Sequence, residues 1–286
     1  MSTKPNRLLN VAKLALKLGK KSLADYSHPK SPKTYTQPQL LACLVLKTYL
    51  KTTYRGVVEL IELSPPLVEA LELKEIPDYS TLKYFADRID LDTFLPTVFA
   101  ALAGQNQEDN DTETVAIDST GMESTAASVH FQQRKGGTRK RYIKLSVAIL
   151  CSSLMPLSLV ADWGPCNDKR EARAVITQAF EILCPDDLLA DAGYDAEWVH
   201  ELCRNKWGVK SFIPPAVHRA DGTAGGKYRS QMTERRLKYN KYGRRWLVES
   251  FMSGLKRTTG SALTSRSEGA LFAEAKLRVL TYAIRR

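Results

Sequence analysis

The chain has 286 residues, 43% of them hydrophobic, and a formal charge of +11 from 42 Lys and Arg against 31 Asp and Glu. That length allows one large domain or two modest ones with a real core, and the charge points to an anionic partner. Five cysteines (Cys43, Cys151, Cys166, Cys184, Cys203) without CxxC or Cys/His spacing argue against a disulfide framework and structural zinc, and no apolar run reaches membrane-spanning length.

The charge is segregated. Residues 1–34 hold eight basic residues and one Asp, and read as a basic amphipathic arm without the apolar core of a secretion signal. The expected home is a reducing, cytosolic compartment. A Pro-, Ser-, Thr- and Lys-rich linker covers residues 27–38. Thr36 and Gln39 then have capping-box spacing and open an apolar helix to about residue 51. Further short helices are predicted at 54–63, 67–73, 81–89 and 92–103, the one at 81–89 capped by Asp78 or Ser80. Residues 35–104 thus form an all-helical region. Helix 81–89 could be the presented helix of a helix-turn-helix, making this a DNA-binding region. The four basic and thirteen acidic residues between 55 and 113 favour a packing or dimerisation role at least as much. The polar run QNQEDNDTE at 105–113 is the predicted domain boundary.

Beyond it the pattern changes to short strands. Residues 114–121 read as an apolar strand ending in Asp118, residues 142–151 and 157–161 as two more, together an antiparallel meander. The intervening stretch is a basic loop around Gly136-Gly137, with Arg139, Lys140 and Arg141 on its far side. A helix over 167–183 leads to a strand ending in Asp191, then a helix over 196–206 and a strand over 209–213. This order predicts an α/β fold, a mixed sheet flanked by helices. A basic, Gly-rich insertion at about 215–241 follows, expected to be an extended loop made mobile by Ala224-Gly225-Gly226.

Residues 243–257 read as an amphipathic helix. A 3.6-residue period places Arg245, Glu249 and Lys256 within roughly 40° of one another, beside a stripe of Leu247, Val248, Phe251, Met252 and Leu255. Three carboxylates from separate elements, Asp118, Asp191 and Glu249, then converge in a basic surround. Clustered carboxylates repel one another and need a counter-charge. Oxygen ligands suit Mg²⁺ or Mn²⁺, and two such ions about 3.5–4 Å apart support phosphoryl transfer. There is no GxSxG elbow, no phosphate-binding loop with Lys-Ser/Thr, and no motif around His28, His130, His200 or His218.

The chain resembles insertion-sequence DDE transposases with an RNase H-like catalytic domain. The resemblance is carried by Ile117-Asp118-Ser-Thr-Gly121, by Ala190-Asp191-Ala-Gly193-Tyr194-Asp195, and by the Tyr-x2-Arg-x3-Glu-x6-Lys signature at Tyr242, Arg245, Glu249 and Lys256. Pro77-Asp-Tyr-Ser-Thr-Leu82 adds a segment common upstream of that domain, so the likeness covers about residues 35–286. It implies a catalytic domain over 113–286, with Asp118, Asp191 and Glu249 as a triad for Mg²⁺ or Mn²⁺, two ions per site. Tyr242, Arg245 and Lys256 would contact DNA phosphates. Asn167-Asp168 would lie one step behind the metal ligands, and Trp163 and Trp246 would either stack on an unpaired base or pack in the core. The implied activity is cleavage at transposon ends and strand transfer into target DNA, by a homodimer or higher oligomer on double-stranded DNA in a prokaryotic cell. A stand-alone RNase H-like nuclease and a non-catalytic DNA-binding derivative are the alternatives. A Ser265-x-x-Glu268 capping box opens a last helix to about residue 284; relatives often continue a little further, so a shortened copy is also an expectation.

Overall fold

A computed structural model describes residues 6–104, 113–124, 141–216 and 224–286. They divide into two compact units, residues 1–101 with 255–286, and residues 102–254.

The first unit is helical. Its amino-terminal helices are α1 (Arg7–Ser22), α2 (Gln37–Tyr49), α3 (Tyr54–Glu62), α4 (Pro65–Ala70), α5 (Tyr79–Arg88) and α6 (Leu91–Gly104), the last crossing into the second unit. The predicted capping box is formed: Gln39 N donates to Thr36 Oγ1 and Thr36 N donates to Gln39 Oε1. Asp78 caps α5, accepting from Ser80 N at 2.8 Å. α2 buries every residue from Leu40 to Leu46, which makes it the centre of this unit rather than an amphipathic cover. α1 packs on it closely, because a Cβ at Gly19 would meet Pro38 Cα at 3.0 Å. The carboxyl-terminal helix Glu268–Arg285 also belongs here. Ser267, not Ser265, takes its N-cap position, and no capping box forms. Glu274 instead accepts from the backbone of Thr264 and Ser265, and that contact fixes the approach to the helix.

The second unit is built on a sheet. Strands β1 (Thr114–Ser124), β2 (Tyr142–Leu150) and β3 (Pro156–Gly164) form the antiparallel meander, and α7 (Lys169–Ile182) connects it to β4 (Asp187–Leu189). α8 (Glu197–Glu201), continued by a π turn at Leu202–Lys206, leads to β5 (Lys210–Phe212). β4 runs parallel to β1 and β5 parallel to β4, giving the order β3-β2-β1-β4-β5. This mixed sheet flanked by helices, after an all-helical amino-terminal region, is the RNase H-like architecture expected. Val115, Ile117, Ala148, Leu150 and Leu188 turn one face of the sheet onto Ala172, Val175, Ile176, Ala179 and Phe180 of α7. Each buried Val, Ile, Leu or Phe among them contributes about 1.5–3 kcal/mol, so the packing holds the strand register firmly.

β1 differs from the sequence reading. It does not end in Asp118 but runs on to Ser124, because residues 118–123 continue the ladder with β2, from Asp118 opposite Val147 to Glu123 opposite Tyr142. Asp118 therefore sits within a paired strand.

The described part of the basic insertion is tied down rather than loose. Asp195, whose side chain is fully buried, accepts from Arg229 Nε at 2.7 Å and Nη2 at 2.6 Å, and from Ala216 N at 2.8 Å. Glu197 accepts from Tyr228 N and Arg229 N. Gly226, at φ +108°, passes so close to Glu197 that a side chain there would clash with the carboxylate. After this clasp come α9 (Glu234–Tyr239), a 3-10 turn at Tyr242–Arg245 and α10 (Trp246–Thr259).

Candidate active site

The parallel pairing of β1 and β4 ends at Ala116 opposite Leu189. Asp118 and Asp191 each come two residues further on, near enough for the Asp191 charge to act on the Asp118 carboxyl. Asp191 is already past the strand end. Its side chain accepts from Gly193 N at 2.8 Å and caps the 3-10 turn Ala192–Tyr194, which fixes its direction.

Glu249 arrives from the first turn of α10. Val248, Phe251 and Met252 are buried, as the apolar stripe predicted, and that anchoring leaves the Glu249 side chain 52% exposed. Tyr242 opens the 3-10 turn before α10 and donates its hydroxyl to Ala190 O at 2.9 Å, fastening this segment to the backbone next to Asp191. Arg245 closes the same turn. Its guanidinium reaches Asp118 Oδ2 at 3.4 Å and also pairs with Glu249 Oε1. One cation thus joins carboxylates from β1 and α10.

Burial pushes the Asp118 carboxyl up to about 6. The charges of Asp191 and Glu249 push the same way, while the Ser119 amide and Arg245 pull it down. Mutual repulsion of this kind, among acceptor-only oxygens, fits a hard divalent cation. Among the described residues, only Asp162, Cys166 and Glu171 hold their ligand atoms all within 4.8 Å of one another. Glu249 is paired with Arg245.

The sequence matches the family described as Transposase DDE domain over residues 109–284, more than half of the chain. The chain belongs to the DDE transposases. Among solved structures it is similar to the piggyBac transposase in a cryo-EM synaptic complex with hairpin DNA, at 9% identity and a TM-score of 0.43, covering 99% of this chain and 72% of that one. No curated protein matches it.

In this DDE-family chain, Asp162, Cys166 and Glu171 form a group able to hold a divalent ion, which the sequence reading missed. Their spacing, a strand residue and two residues around the start of α7, matches no familiar ligand pattern. Each carboxylate already has a cation: Arg170 lies 3.1 Å from Asp162, and buried Lys144 lies 2.7 Å from Glu171. The Cys166 thiol donates to Glu171 at 3.1 Å, and burial pushes it above its ordinary pKa.

The proposed DNA contacts are dispersed. Lys256 lies on α10, past the division between the units at residues 254 and 255. Arg141 is exposed and stacks on Trp163, 4.1 Å from the ring centroid. Arg139 and Lys140 lie outside the described residues. Trp246 is 58% exposed, so core packing is not its role, whereas Trp163 is half-buried beneath Arg141. No helix among the described residues is long and apolar enough to cross a membrane.

Proposed function

We propose that this chain is a DNA transposase that cuts the ends of its element and joins the freed 3′ ends to target DNA, with Asp118, Asp191 and Glu249 as its catalytic carboxylates. The observation that carries this reading is the joint geometry of the three. The charges of Asp191 and Glu249 both act on the Asp118 carboxyl, and Arg245 links Asp118 to Glu249. Sequence spacing supports it, because Tyr242, Arg245, Glu249 and Lys256 keep the Tyr-x2-Arg-x3-Glu-x6-Lys pattern.

The three carboxylates would hold Mg²⁺ or Mn²⁺, one ion or a pair. When bound, these ions neutralise charge on the transferring phosphoryl group and lower the pKa of the attacking water or hydroxyl. The chain's own residues do the rest. Rigid β1 and the Asp191-capped turn fix two ligands, and α10 brings the third. Arg245 offsets the carboxylates' repulsion before DNA arrives, and its forked donors suit a phosphate afterwards. Tyr242 orients the turn that carries Arg245. Lys256, Arg139, Lys140 and Arg141 supply further positive charge for the backbone of double-stranded DNA, both terminal inverted repeats and target. A homodimer or higher oligomer would bring two ends together.

The test is a Mg²⁺-dependent cleavage and joining assay on the element's terminal repeats. Cleavage with joined product supports a transposase. Cleavage alone points to a nuclease, and binding alone to a non-catalytic derivative. Full activity in Glu249→Gln would overturn the assignment of the triad.

A further inference from the structure

Resting on the reading of Asp118 and Asp191 as metal ligands, we infer that Asp168 is a positioning residue of the same centre, a fourth carboxylate that braces those two and carries its own buried counter-ion in Lys144.

Asp168 occupies the N-cap position of α7, the place where a carboxylate ordinarily caps the helix. It makes no capping bond; the adjacent Asn167 accepts from Lys169 N at 3.0 Å instead. The Asp168 carboxylate is turned toward the sheet. Ser119 Oγ donates to its Oδ1, while Ser119 N donates to Asp118 Oδ1 at 2.8 Å, so one residue of β1 grips both acids. Its other oxygen faces Asp191 across Gly193, where a Cβ would meet Asp168 Oδ2 at 2.5 Å and Asp191 Oδ1 at 2.9 Å. Gly193 is the one residue type that lets both carboxylates close over it.

Two buried polar groups mark this place as built. The Tyr194 and Ser146 hydroxyls are both fully buried. Burial, joined by the charges of Asp168, Asp118 and Asp191, pushes the Tyr194 phenol up. Lys144 enters from β2 with its side chain only 4% exposed, 2.8 Å from Asp168 and 2.7 Å from Glu171. A buried ammonium is costly unless paired, and here its pairing holds Asp168 in place without taking a position on Asp118 or Asp191. Groups that orient ligands from behind in this way typically affect metal affinity by about 10–100-fold.

The test is Mn²⁺ binding to the purified full chain without DNA, followed by electron paramagnetic resonance, with thermal melting alongside. Asp168→Asn is expected to weaken Mn²⁺ binding by about tenfold or more, and Ser119→Ala by a smaller factor in the same direction. A purely structural role would lower the melting temperature and leave Mn²⁺ affinity alone; that result, or wild-type affinity in D168N, overturns the inference. Should D168N fail to fold, S119A decides by the same readout. D118N separates the levels: if it abolishes binding while D168N and S119A do not, only the role of Asp168 falls. If D118N leaves binding intact, the carboxylate centre falls and this inference with it. Loss of Mn²⁺ in Glu171→Gln alone would place the ion at Asp162, Cys166 and Glu171, which also overturns the proposal.

Discussion

Arg245 Nη1 lies 3.4 Å from Asp118 Oδ2, although 127 positions of chain separate the two residues. The same guanidinium pairs with Glu249, so removing it leaves a half-buried acid and an exposed one without their shared cation. A hydrogen bond to a charged group is worth about 1.5–3 kcal/mol, which converts to about 10–100-fold in rate. Arg245→Ala is therefore expected to slow cleavage by about that factor at saturating Mg²⁺. Arg245→Lys should restore part of the loss, because charge returns without the fork. Cleavage rates on a terminal-repeat substrate read both, and an unchanged R245A rate would remove Arg245 from the mechanism.

Asp118 yields an opposite trade between activity and stability. Its carboxyl ionises near 6 in the folded protein against an ordinary 3.8, so between those values the folded chain holds a proton that the unfolded chain has released. Stability therefore falls as pH rises from about 4 to about 6 and stays lowered above that. Two pKa units correspond to about 3 kcal/mol. Asp118→Asn in chelator should raise the melting temperature at pH 7.5 and flatten its pH dependence, while abolishing cleavage. A D118N protein that melts below the wild type at pH 7.5 would contradict this.

Much of this geometry was legible in the sequence because each clue was local. Apolar strands around Ile117 and Leu189, a helical stripe through Val248, Phe251 and Met252, and an i,i+4 pair at Arg245 and Glu249 all follow from chain periodicity. What escaped was whatever depended on pairing partners. The continuation of β1 past Asp118 is decided by β2, which lies beyond the basic stretch of sequence that follows β1. Lys144 reads as one more basic residue in a strand until α7 sets Glu171 and Asp168 against it. Glycines at 225 and 226 signalled a loose loop, yet Asp195 and Glu197 hold the segment just beyond them.

That clasp has its own consequence. Asp195 is fully buried and bonds Nε and Nη2 of Arg229, so Asp195→Ala leaves a guanidinium that is only 22% exposed without its carboxylate. Breaking a buried pair on one side costs about 3–5 kcal/mol. Urea unfolding of D195A should show a loss of that order. Limited proteolysis should cut first near residues 224–231, because one of their two anchors has gone and only Glu197 remains. Proteolysis that begins elsewhere would mean that the segment is held by other contacts.

His200 gives a second pH dependence, opposite in sense to that of Asp118. His200, on α8, is completely buried, with Nδ1 2.8 Å from Oγ of Ser211 on β5. Ser211 Oγ also accepts from Arg204 Nε at 3.1 Å, and the other ring nitrogen, Nε2, has no hydrogen-bond partner among the described residues. Burial, reinforced by the charge of Arg204, pulls the pKa from 6.5 down to about 4. Stability from the neutral ring is fully present above pH 6.5 and is lost as pH falls from 6.5 toward 4, where only the unfolded chain takes up the proton. The span is worth about 3 kcal/mol. Asn at this position keeps an acceptor for Ser211 but cannot titrate, so His200→Asn should be less stable at pH 7.5 and lose less on going to pH 5. The quantity to compare is the difference between the two pH values in urea unfolding, since the cavity left by the smaller side chain cancels from it. An H200N protein with the wild-type difference would show that another group governs acid unfolding.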